Sequence, residues 1–106
     1  MGGKIMAKIE KKYLEHLYKA ILSLETMEEC AAFFDDVCTI QELEALSQRF
    51  EVANLLHKGR NYVDINKLTG ASTATICRVS KCLSYGDGGY KTVIQRLEKA
   101  GEKDEV

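Results

Sequence analysis

The chain has 106 residues, 15 Lys and Arg against 16 Asp and Glu, no proline and a formal net charge of −1. That length suits one small domain, 1–106, with loose ends at 1–7 and 100–106, and the near-neutral balance excludes a polycation that coats nucleic acid indiscriminately. No apolar run reaches the length of a membrane span and the opening MGGKIM lacks the apolar stretch of a signal peptide, so a cytoplasmic location away from any membrane is expected.

Chain breakers stand only between periodic segments, which predicts an almost wholly helical protein. Ile9, Tyr13, Leu17, Ile21 and Leu24 recur at helical spacing and predict an amphipathic helix over about Lys8 to Leu24. Thr26 with Glu29 forms a capping box for a second helix carrying Cys30, Phe33, Phe34 and Val37. Thr39 with Glu42 forms another and opens a third helix, with Leu43, Leu46, Phe50, Ala53 and Leu56 inward. Lys58 and Gly59 close it.

The next stretch, GRNYVDINKLTGASTATICRVSKCLS over residues 59–84, reads as two short helices joined at Gly70. Val63, Ile65 and Leu68 are the residues the first of these can bury. Ser72 offers an N-cap for the second, whose Ile76, Val79 and Leu83 share one inward face. A YGDGG break then precedes a last helix with Tyr90, Val93, Ile94 and Leu97. Six short helices with broad apolar faces cover one another poorly within one chain, which favours a dimer.

The inward stripe leaves Thr73, Ala74, Thr75, Arg78 and Lys81 for the outside of the second turn-motif helix. Short side chains at a helix N-terminus let the backbone enter the DNA major groove, and cations beside them meet phosphates. Charge agrees with this. From Leu55 to Ser84 there are five cations (Lys58, Arg60, Lys67, Arg78, Lys81) against Asp64, whereas from Glu25 to Glu51 eight acids face Arg49 alone. The positive field thus coincides with the helix-turn-helix, and the acidic stretch should face away from phosphates. Thr73, Ala74 and Thr75 are expected to read base edges, with Arg60, Lys67, Ser72, Arg78 and Lys81 on the backbone of double-stranded DNA.

Nothing in the sequence builds a metal or catalytic site. Cys30 and Cys38, and Cys77 and Cys82, lack zinc spacing, and His16 and His57 stand far from them. Reduced, mostly buried thiols are expected, with no cofactor. No serine or cysteine has a local base and no glycine-rich phosphate loop is present, so an enzyme is not expected.

TIQELEALSQR, LLHKG and above all LTGASTATICRVSKCL resemble the Trp-repressor superfamily from about Thr39 to Leu83, and YGDGGYKTVIQRL resembles its YerC/YecD branch. The resemblance implies a six-helix, all-α intertwined homodimer, with helices one to three and the last forming a shared core from which two reading heads project. It also implies a place for a small effector. Arg49 and Arg78 match the two arginines that hold an indole ring in tryptophan-sensing members, and Cys38 and Thr39 match the segment supplying carbonyl contacts. Val79 and Cys82 stand where those members have glycine and serine. A valine fills part of a ring-sized pocket, and overpacking costs about 1–3 kcal/mol, which points away from tryptophan. Either a differently shaped effector binds or none is needed. By the same match Cys38 and Cys82 would lie beside the pocket, where oxidation could switch the head.

The function expected is therefore a sequence-specific regulator, a repressor, binding a near-palindromic operator as a homodimer. The alternatives are a protein-interaction module using the acidic helices, and a DNA-binding domain of the replication-origin type.

Overall fold

Side-chain caps decide where most helices of this chain begin. The computed structural model describes residues 10–101, and among them six α-helices follow one another without a strand: α1 Lys11–Leu22, α2 Met27–Val37, α3 Ile40–His57, α4 Tyr62–Thr69, α5 Thr73–Tyr85 and α6 Gly89–Lys99. Of the loose ends expected at 1–7 and 100–106, residues 1–7 and 102–106 lie outside the described residues, as do the expected helical residues Lys8 and Ile9.

At α3 the capping box is reciprocal. Glu42 N–H donates to Thr39 Oγ1 at 3.1 Å and Thr39 N–H donates to Glu42 Oε1 at 2.8 Å. At α2, Glu29 N–H donates to Thr26 Oγ1, but the Glu29 carboxylate accepts from Glu25 N–H, one residue before the cap, at 2.8 Å. α3 ends as its sequence suggests. Gly59 takes φ 86, its N–H donates to the Leu56 carbonyl, and Arg60 N–H reaches the Leu55 carbonyl, the paired bonds of a Schellman turn.

Two compact units divide the described chain within α3, at Leu43 and Glu44. In the first unit no residue of α1 or α2 is buried, and Tyr13, Leu22, Met27, Val37 and Ile40 are exposed. The second unit holds the core: Val52, Ala53, Leu55, Ile65, Ala71, Ile76, Val79 and Ile94, with Phe50, Leu56, Leu83 and Tyr90 packed against it. Each of α3, α4, α5 and α6 contributes at least one buried apolar side chain, so the turn motif is anchored through its inner faces.

Three expectations are corrected here. Val63 and Leu68 are not buried, at 64% and 60% exposure; only Ile65 on α4 faces the core. Two positions turn a helix by roughly 200°, so Val63 and Ile65 stand on opposite sides. Leu46 is exposed; Ala53 is buried and Phe50 and Leu56 pack on the core as expected, and the inward face of α3 also takes in Val52 and Leu55. Finally, the thiols are not mostly buried: all four are free, Cys30, Cys77 and Cys82 are exposed and Cys38 is half-buried.

Candidate functional site

The turn motif is built from two caps and a left-handed residue. Asn61 Oδ1 accepts from Asp64 N–H at 2.9 Å and starts α4. Gly70, at φ 76, stops it by turning the chain where other residues resist, its N–H donating to the Asn66 carbonyl. Two residues on, Ser72 starts α5. Its Oγ accepts from Thr75 N–H at 3.1 Å and donates to Thr75 Oγ1 at 3.2 Å. The Thr75 hydroxyl proton is left to point elsewhere.

α5 is sharply two-sided. Ile76 and Val79 are buried at 0% and 1% exposure, and Leu83 packs on the same core. Ser72, Thr73, Ala74, Arg78 and Lys81 are exposed and Thr75 is half-buried. Arg60 and Lys67, on and before α4, are also exposed. Arg60 Nη1 stands 4.0 Å from Asp64 Oδ2, both about half exposed, a pair too long and too wet to cancel the local positive field. All eight residues expected to face DNA therefore belong to one capped motif, seven of them exposed.

The structure adds one residue that the sequence reading passed over. Cys77 lies four positions after Thr73 and four before Lys81, so the three form one strip along α5, and Cys77 is exposed. The spacing from Thr73 and Lys81 carries that signal in the sequence, although thiols more often pack as small hydrophobes.

The residues expected at an effector site fall differently. Cys38, half-buried, is the C-cap of α2, and Thr39 caps α3, both in the first unit. In the second unit, Arg49 is half-buried, Arg78 and Cys82 are exposed, and Val79 is part of the core. Glu44, Ser47, Gln48, Glu51, Leu68 and Thr69 line an open groove of about 420 Å³ between α3 and the end of α4. Its two carboxylates oppose phosphate, which sets it apart from the cationic face of the motif. Among the described residues no group of His, Cys, Asp and Glu could hold a metal ion, and no helix is long and apolar enough to cross a membrane.

Comparison with known proteins agrees with this geometry. The family model for the Trp repressor protein matches residues 12–98. The uncharacterized protein YerC of Bacillus subtilis (strain 168) is 49% identical over 92 residues, covering 87% of this chain and 88% of that one. A crystal structure of a TrpR-like protein from Eubacterium eligens ATCC 27750 superposes with a TM-score of 0.82 at 52% identity, covering 87% of this chain and 95% of the other. One of a candidate Trp repressor from Staphylococcus aureus has the same TM-score of 0.82 at 43% identity, covering 88% and 93%. The helix order, the capped turn motif and these matches together make the chain a member of the Trp repressor family.

Proposed function

We propose that this protein is a sequence-specific DNA-binding regulator of transcription, a repressor, acting as a homodimer on a near-palindromic operator. The observation that carries the proposal is the two-sidedness of α5: Ile76 and Val79 sit in the core while Thr73, Ala74, Arg78 and Lys81 stand exposed beyond the Ser72 cap. A helix anchored in this way presents its N-terminal residues to a groove without costing core packing. Thr73, Ala74 and Thr75 read base edges, and Ser72, Arg60, Lys67, Arg78 and Lys81 hold the sugar-phosphate backbone.

The dimer is supported by the first unit. Leu22 and Met27 are 83% and 81% exposed, and Tyr13, Tyr18, Val37 and Ile40 are exposed around them. Apolar exposure on this scale in two consecutive helices is the mark of a surface that another chain covers. A twofold dimer also presents two reading helices to half-sites about 34 Å apart.

The burial of Val79 bears on regulation. Its side chain has no free surface to offer a ring, which favours a regulator that needs no tryptophan-sized effector against that residue. A ligand role for Cys38, Thr39, Arg49, Arg78 and Cys82 would have to avoid it.

Enrichment of genomic fragments on the purified protein, followed by gel shifts across salt concentrations, tests the proposal. A recurrent near-palindromic site bound more tightly than random duplex is the expected result. Retention of all fragments alike, or of none at low salt, would remove it.

A further inference from the structure

The reading helix starts at a buried residue whose backbone is held by side chains. Ala71, 1% exposed, lies between Gly70 and the Ser72 cap. Its N–H donates to Thr69 Oγ1 at 3.0 Å and its carbonyl oxygen accepts from Asn66 Nδ2 at 2.8 Å. Buried backbone groups need partners, and here both come from the side chains of α4.

Thr69 is the centre of this arrangement. Its hydroxyl gives its one proton to the carbonyl of fully buried Ile65 at 2.7 Å while accepting from Ala71. Its own carbonyl accepts from Gln48 Nε2 of α3 at 3.2 Å. The hydroxyl is thus used as donor and acceptor at once, a role that valine, of the same shape, cannot fill and serine can.

We infer that Asn66 and Thr69 are positioning residues of the reading head: by holding both backbone groups of Ala71 they fix the direction in which Ser72 launches α5, and so the placement of Thr73 and Thr75 against base edges. The inference rests on the DNA-binding reading of α5. Replacing Thr69 by valine changes no charge, so phosphate contacts and their salt dependence stay as they are. Only the aim of the helix is lost. Direct base contacts are sensitive to aim, while nonspecific attraction to phosphate is not.

The test uses the full-length protein, a duplex enriched from a random pool and an unselected duplex of the same length. Thr69→Val should weaken binding to the enriched duplex roughly tenfold, the loss expected when a buried donor is orphaned. Binding to the unselected duplex and the salt slope should not change, amide exchange at Ala71 should quicken, and Thr69→Ser should restore both affinity and protection. Equal losses on both duplexes, no loss, or a serine variant as weak as valine would overturn the inference. If Thr69→Val fails to fold, Asn66→Ala, which frees only the Ala71 carbonyl, should show the same split between the two duplexes, and its absence would be equally fatal. A wild-type protein that binds neither duplex would sink the DNA reading itself, and the inference with it. Unchanged exchange at Ala71 in Thr69→Val would instead sink the positioning role alone.

Discussion

His57 Nε2 lies 3.1 Å from Glu98 Oε2, joining the last turn of α3 to the last turn of α6 across 41 residues of chain. The two side chains are 33% and 50% exposed, so water competes for both partners. Such a pair holds position more than it adds stability. Glu98→Ala should lower the unfolding free energy by less than about 1 kcal/mol in urea denaturation; a larger loss would mean that the pair is shielded by something further.

Core substitutions should be far costlier. Ile65 and Ile76 are fully buried in a core of few side chains. Ile76→Ala is expected to lose about 2–5 kcal/mol, visible as a large fall in thermal midpoint. Val63→Ala, at a 64% exposed position on the neighbouring helix, should change stability little.

Gly70 and Gly86 should fail for different reasons. A Cβ at Gly70 meets nothing within 4 Å, so Gly70→Ala carries only the penalty of its positive φ, about 1–2 kcal/mol. At Gly86 the backbone is ordinary, but a Cβ would stand 2.5 Å from the Cys82 carbonyl oxygen. Gly86→Ala must therefore shift the end of α5. Amide chemical shifts should move locally around residue 70 in the first variant and along the last turn of α5 in the second.

How much of this was legible in the sequence differs by element. Thr26, Thr39, Gly59, Gly70 and Ser72 each act through their own side chain or backbone freedom, and all fall where the sequence places them. The inward face of α3 was harder to read. FEVANLL is apolar at most positions, so periodicity chooses poorly between Leu46 and the Val52–Leu55 face that is in fact buried. On eight-residue α4 barely two turns of helix give too short a stripe to tell the buried side of Ile65 from the exposed side of Val63. The outer face of α5 was readable as the complement of Ile76, Val79 and Leu83. The hold of Asn66 and Thr69 on Ala71 was not, because side-chain bonds across a turn depend on where the backbone goes.

Exposure of Cys77 on the strip with Thr73 and Lys81 gives a direct chemical probe. A thiol reagent should label it in the folded protein, and bound duplex should protect it while leaving Cys30 labelled. Equal labelling of Cys77 with and without DNA would place the duplex elsewhere.

Base reading and phosphate contact should separate by mutation. Thr73→Ala should change which duplex is selected from a random pool, with about 1–3 kcal/mol of discrimination lost at the affected base pair. An unchanged preferred sequence would take Thr73 out of the reading set.

The most direct measurement is the affinity for an enriched duplex as a function of salt, for wild type and Lys81→Ala. If α5 meets duplex phosphates, log affinity falls steeply and linearly with log salt, and the slope is smaller by about 1 in the variant with the preferred sequence unchanged. A shallow wild-type slope, or a slope that Lys81→Ala leaves untouched, would contradict the assignment of α5 to duplex DNA.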